Sequence, residues 1–406
     1  MDAFSAAAIL LTLASVFGFL NYRYIRLPLT IGLMLMSLVL SLILICFGYL
    51  RPEIIEPVRG FIEGLEFEDT LLQIMLGYLL FAGALHVDLD ALSQQKFLIG
   101  SLATAGVIIS TFLIGTTSYY ILGLVGFELP FMHCLLFGAL ISPTDPVAVL
   151  GILKQAGAPK TLETKITGES LFNDGIGVVV FLAILGIVKS GGEFDTMDVV
   201  KLFGIEALGG IVLGLALGGI AFWALRQVDD YKVEVLITLA LVTGGYRLAT
   251  ALHTSGPLAM VVAGLMIGNH GRTLAMSEST VDHLDTFWEL VDEILNAMLF
   301  VLIGLEILVL SLDGKYFIAG LLMVPMVLLC RALAVGIPVT LLRPFRSFSP
   351  RVVRILTWGG LRGGISVALA LAVPETANRD LFLVLTYVIV IFSISVQGLT
   401  LKRLFR

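Results

Sequence analysis

The sequence predicts an all-α polytopic membrane protein of about 13 transmembrane helices, arranged as inverted repeats with two crossing broken helices. Three observations carry this. Mean hydropathy is +1.01, with 58% hydrophobic and only 14% charged residues, a balance outside that of ordinary soluble domains. Apolar runs near the length that crosses a bilayer as a helix recur from end to end. The loops between them are brief, so no soluble domain is expected.

Taken in order, runs 3–22 and 27–50 are parted by a short turn holding Arg23 and Arg26. The longest loop follows, Arg51 to Asp69, and it is acidic (Glu53, Glu56, Glu63, Glu66, Glu68). Run 68–88 ends on His86 and Asp88, and run 96–125 is long. The fifth run, 130–154, is interrupted by Pro143 and Pro146; the sixth, 161–188, carries a polar stripe. Run 199–225 is Gly-rich near 209–219, which reads as close helix packing rather than a phosphate loop. Runs 231–250 and 256–269 follow, the latter short. Run 284–310 contains Asn296 and Glu306, and run 315–342 contains Arg331. The twelfth, 351–373, is interrupted at Trp358-Gly359-Gly360-Leu361-Arg362-Gly363-Gly364, and run 381–402 closes the series.

Of the 25 Lys and Arg, sixteen fall in one set of alternate loops and seven in the other. That bias puts the C-terminus in the cytoplasm and, with an odd number of spans, the N-terminus outside. No basic region precedes the first apolar run, so no cleaved signal peptide is expected. Cys46, Cys134 and Cys330 each sit in an apolar run with no pairing or metal spacing, and read as small buried hydrophobes. No basic tract suggests nucleic acid, and no cofactor motif is present.

The fifth and twelfth runs are the middle members of two triplets, runs 4–6 and 11–13, that face opposite ways across the membrane. Paired interrupted helices in inverted halves are the best sequence pointer to a transporter site. Each proline removes an amide donor and frees a backbone carbonyl. Irregular backbone survives at membrane depth only when buried in protein or lining a cavity. Asp145, between the prolines, can cap the following half-helix, bind an ion, or do both.

In the sixth run Glu169 and Asn173 are four residues apart, as are Ser170 and Asp174, so one stripe of the helix is polar. Each Asp or Arg at a helix centre costs about 2.5–3.5 kcal/mol on the translocon scale. Asp174, Ser170, Thr144 and freed carbonyls supply the oxygen ligands that small hard cations need. Burial disfavours a bare carboxylate, so a proton and a cation can compete for Asp174. Such competition is a minimal exchanger. Arg331 and Arg362 stand inside apolar runs as counter-charges. Glu169 is a natural partner for one of them, in a pair that fixes packing rather than chemistry. Arg362 can instead offset helix-dipole ends at the break.

At these residues the sequence resembles the monovalent cation:proton antiporter family of sodium/proton exchangers, particularly its NhaP-type prokaryotic members. The matching pieces are Ser142-Pro143-Thr144-Asp145-Pro146, Gly168-Glu169-Ser170-Leu171-Phe172-Asn173-Asp174, Phe300-Val301-Leu302-Ile303-Gly304-Leu305 and Trp358-Gly359-Gly360-Leu361-Arg362-Gly363. The resemblance implies a single transmembrane exchanger domain over 1–406. Its core, spans 4–6 (about 96–188) and 11–13 (about 315–402), would move against a scaffold that forms a homodimer. It implies Asp174 as the carrier of cation and proton, with Thr144, Asp145, Ser170 and Asn173 contributing, and a pair between Glu169 and Arg331. Asn173, where electrogenic relatives carry a second Asp, implies electroneutral exchange. Sodium is the expected cation, with lithium or potassium as alternatives, in the cell inner (plasma) membrane. Some archaeal relatives hold the ion with an acidic residue in span 3; Leu80-Phe81-Ala82-Gly83-Ala84-Leu85-His86 has no carboxylate.

Rival classes need other motifs. An intramembrane aspartyl protease uses Gly-x-Gly-Asp, and a rhomboid-like protease uses Gly-x-Ser-Gly with a distant His; neither pattern occurs. A channel would present a symmetric ring or filter rather than an acidic site between broken helices.

Overall fold

A computed structural model describes residues 3–50, 56, 60, 75–146, 149–150, 153, 160–190, 196–310, 313–344 and 351–404. Most of the acidic loop, residues 68–74 of the third run and much of 147–154 in the fifth lie outside the described residues.

The described chain is helical. The principal helices are α1 (Ala3–Leu20), α2 (Leu29–Leu50), α3 (Leu76–Leu85), α4 (Val107–Val125), α5 (Phe131–Ile141), α6 (Lys160–Lys189) and α7 (Thr196–Leu225). They continue with α8 (Tyr231–Ala251), α9 (Gly256–Met266), α10 (Glu278–Glu306), α11 (Gly314–Leu342), α12 (Val352–Trp358), α13 (Gly364–Leu371) and α14 (Arg379–Phe392). Among the described residues, 8 helices are long and apolar enough to cross a membrane, including continuous stretches over Lys96–Val125 and Arg379–Leu404. The fifth and twelfth runs fold as pairs of shorter pieces or end at a break, as their prolines and glycines dictate. The tenth begins earlier than its apolar run, because Ser277 caps the helix by accepting the Thr280 N–H at 3.4 Å.

Other helix starts follow the same chemistry. Asp230 accepts from Lys232 N–H at 3.0 Å before α8, and Asp313 from Lys315 N–H at 2.9 Å before α11. Ser255 accepts from Leu258 N–H at 3.3 Å before α9, where Pro257 occupies the first turn.

Helix α5 packs between α4 and α6, and α11 packs on α4 and α14. Helix α10 lies on α2, and α9 on α3 and α7. The α7–α9 contact is close backbone packing: a Cβ on Gly214 would lie 2.5 Å from the Ala259 carbonyl oxygen. One large apolar cluster joins α1–α6 and α9–α14; a second surrounds Trp288, Phe81 and Met260. The large cluster surrounds the two breaks.

A buried site where two broken helices cross

Helix α5 ends at Ile141, and the carbonyl of the next residue, Ser142, loses its helical donor because Pro146 has no N–H. Gly359 to Gly363 separate α12 from α13. The two breaks meet. The N–H of Asp145 donates to the Leu361 carbonyl at 2.8 Å. Arg362 Nη1 donates to the carbonyls of Ser142 at 2.6 Å and Pro143 at 2.7 Å. Thus the carbonyls released by one break are bound by the cation of the other. Arg362 is itself fixed by its N–H, which donates to Ser393 Oγ at 2.9 Å.

Approach this close requires glycine. A Cβ on Gly363 would fall 1.8 Å from Asp145 Oδ2, and one on Gly360 would fall 2.7 Å from Arg331 Nε.

Helix α6 brings its polar stripe against the first break. Asn173 donates from Nδ2 to Thr144 Oγ1 at 2.7 Å and accepts the Thr144 N–H at 3.2 Å. Thr144 Oγ1 and Ser170 Oγ are 3.1 Å apart. Thr144, Ser170 and Asn173 are all buried. Asp174, 5% exposed, sits one turn from Ser170, and its Oδ1 has no hydrogen-bond partner among the described residues. The charges that bear on it are Asp145 and Arg362. Asp145 is half-buried.

Glu169, also on α6, points to a different neighbour. Its carboxylate accepts from Arg331 Nη2 of α11, and both side chains are buried. Arg331 Nη2 also reaches the Leu356 carbonyl at 3.4 Å. The structure therefore divides the intramembrane charges. Glu169 and Arg331 neutralise each other, Arg362 serves backbone carbonyls, and Asp174 is left without an ion pair among the described residues.

All eight residues singled out from the sequence lie at or beside the crossing. His86 does not join them: its Nε2 is 3.8 Å from Asp285, which also binds Arg272. Ser393, which holds the Arg362 backbone, and Thr111, whose Oγ1 lies 3.2 Å from Ser142 Oγ, escaped the sequence reading. A lone Ser or Thr in an apolar helix carries little signal, since most bond back to their own helix. Among the described residues no group of three or more His, Cys, Asp or Glu could hold a resident metal.

Comparisons with known proteins show the family and the fold. The family described as "Sodium/hydrogen exchanger, transmembrane" matches residues 9–406. The chain is 52% identical over 404 residues to the Na(+)/H(+) antiporter NhaP of Pseudomonas aeruginosa, covering 98% of this chain and 95% of that one. It is 38% identical to the Na(+)/H(+) antiporter NhaH of Halobacillus dabanensis, covering 91% of each. The fold matches the sodium proton antiporter MjNhaP1 of Methanocaldococcus jannaschii at pH 8, with TM-score 0.80 at 20% identity, over 100% of this chain and 98% of that one. The chain belongs to the transmembrane sodium/hydrogen exchanger family.

Proposed function

We propose that the chain exchanges one sodium ion for one proton, using Asp174 as the shared carrier. The single observation behind this is the buried Asp174 carboxylate, whose Oδ1 lacks a partner among the described residues. Leaving such a group unsatisfied costs about 1–3 kcal/mol, and more when it is charged. A proton neutralises it. A cation also does so, aided by the oxygens of Ser170 and Thr144 and by Asp145. Both cannot bind at once, which couples the two fluxes.

The neighbours support that role. Asn173 holds Thr144 through two hydrogen bonds, so the ligand set is fixed before the ion arrives. Arg362 places a permanent positive charge at the crossing and so limits how much negative charge the empty site exposes. Glu169 and Arg331 tie α6 to α11 and take no part in carrying the ion. Asn173 adds no second charge beside Asp174, which favours electroneutral exchange.

Alternating access follows from rigid movement of the helices that hold the two breaks, α4–α6 and α11–α14, against the rest as scaffold. The protein would act as a homodimer in the plasma membrane with its C-terminus in the cytoplasm. The loop bias of Lys and Arg supports that orientation. Sodium is the ion named for the relatives. Lithium, smaller and harder, is the next candidate for an all-oxygen site.

The test is proton flux in proteoliposomes, read by a pH dye under clamped voltage, with sodium, lithium or potassium added in turn. Wild type should move protons only with a cation, without voltage dependence, and Asp174→Asn should be silent. An Asp174→Asn protein with wild-type flux would overturn the carrier assignment. A current during exchange would overturn the one-for-one stoichiometry.

A further inference from the structure

Helix α14 continues into one widened turn, the π-helix Ser393–Gly398. Such turns are rare and frequently mark functional sites. Two of its side chains reach the second break. Ser393 Oγ accepts the Arg362 N–H at 2.9 Å, and Gln397 Nε2 donates to the Trp358 carbonyl at 3.1 Å. Trp358 is the last residue of α12, so its carbonyl lies beyond the donors of its own helix. The turn thus holds the break from both sides.

Beside it lies a cavity of about 10 Å³, lined by Arg331 and Val327 of α11, Gly360 and Arg362 of the break, and Gln397. Arg331, Arg362 and Gln397 are 4, 2 and 3% exposed. Each guanidinium has one buried nitrogen with no hydrogen-bond partner among the described residues: Nε of Arg331 and Nη2 of Arg362. Gly360 brings the break against the first of these, since a Cβ there would fall 2.7 Å from Arg331 Nε. A buried charged donor left unbonded costs more than a neutral one. Two such groups lining one cavity mark a place for an acceptor that both can share.

We propose that this cavity binds one water molecule, which accepts from Arg331 Nε and Arg362 Nη2 and donates to Gln397 Oε1. The volume suits a single water, and a buried water needs about two to four polar partners. Gln397 Nε2 is engaged by Trp358, which leaves the oxygen of the amide as an acceptor. A halide would also accept from two guanidinium groups. Water suits the site better, because Glu169 already neutralises Arg331 and two carbonyls offset Arg362. The water completes a polar chain from Glu169 through Arg331 to Arg362 and the Ser142 and Pro143 carbonyls. Gln397 is thereby a positioning residue: it steadies Arg362, which steadies the first break. The water site stands apart from the reading of Asp174 as carrier; its effect on exchange rests on that reading.

The experiment starts from cryo-EM maps of the full wild-type chain in nanodiscs, at a resolution that shows ordered water, in sodium chloride and in sodium bromide. One peak should lie between Arg331 Nε and Arg362 Nη2, the same in both salts. Gln397→Leu keeps bulk but removes the amide. In proteoliposomes it should raise KM for sodium about threefold, the effect of one lost hydrogen bond, while turnover at saturating sodium persists. The reason is that the first break is held less firmly before the ion arrives. Val327→Ile adds one methylene to the cavity wall. It should expel the water and lower Tm, whereas filling a dry void would raise Tm.

A map with ordered water elsewhere in the core and none in this cavity would overturn the site. A peak that strengthens in bromide would make the occupant a halide and overturn the water. A higher Tm in Val327→Ile would mean a dry cavity and do the same. A Gln397→Leu protein that loses stability but keeps its KM would remove Gln397 as a positioning residue. Asp174→Asn, measured alongside, separates this site from the carrier. If that variant is silent and the map shows no peak, the carrier stands and the water site fails. If it is active and the peak is present, the carrier assignment fails and the water site stands.

Discussion

The N–H of Asp145 donates to the carbonyl of Leu361 at 2.8 Å, which ties one interrupted helix to the other at the centre of the molecule. Each break would leave polar backbone exposed at membrane depth if it stood alone. Together they satisfy much of it: Arg362 takes the Ser142 and Pro143 carbonyls, and Leu361 takes the Asp145 amide. The irregular backbone that an ion site requires is stabilised by its own mirror element.

Breaking the Glu169–Arg331 pair should destabilise the protein rather than alter its ion preference. Both side chains are buried, so removing either leaves an uncompensated charge. We expect Glu169→Gln and Arg331→Met each to cost about 3–5 kcal/mol. The double variant should recover much of that loss. Thermal unfolding in detergent measures it. If the double variant is as unstable as the sum of the two singles, the residues are not coupled.

Proton–cation competition on one carboxylate has a signature in pH. At low pH the proton blocks sodium; at high pH the protonated return form is scarce. Exchange at fixed sodium should therefore be bell-shaped in pH. By mass action, a tenfold rise in sodium should move the acid limb down by about one pH unit. Initial rates at several sodium concentrations decide the matter. An acid limb that stays in place at every sodium level would assign it to a separate titrating group and defeat simple competition on Asp174.

Much of this architecture is legible in the sequence because lipid penalises polar groups so heavily. Asp174, Glu169, Arg331 and Arg362 stand out from apolar runs, and their number alone demands partners. What the sequence cannot convey is who partners whom. Arg362 bonds carbonyls 219 and 220 residues away, a match set only by the crossing of the two helices. Prolines mislead in the same way: α11 runs unbroken through Pro325 and Pro338, whereas Pro143 and Pro146 follow the end of α5. Tertiary contacts decide which proline becomes a break.

The crossing also has a steric test, in two glycines that a sequence reader would treat alike. Around Gly186, late in α6, nothing would lie within 4 Å of an added Cβ. Gly186→Ala should be neutral or stabilise by about 0.5–1 kcal/mol, because glycine in a helix interior carries excess backbone entropy. At Gly363 the same methyl group would meet Asp145 Oδ2 at 1.8 Å and Asp145 Cβ at 2.6 Å. Asp145 would have to move, and its N–H would be pulled from the Leu361 carbonyl. We expect Gly363→Ala to lose about 1–3 kcal/mol from overpacking and to lose most exchange activity, since the site itself is displaced. Thermal unfolding and sodium-driven proton flux on both variants make the comparison. A Gly363→Ala protein as active and as stable as Gly186→Ala would mean that the two broken helices are not packed as closely as these contacts require.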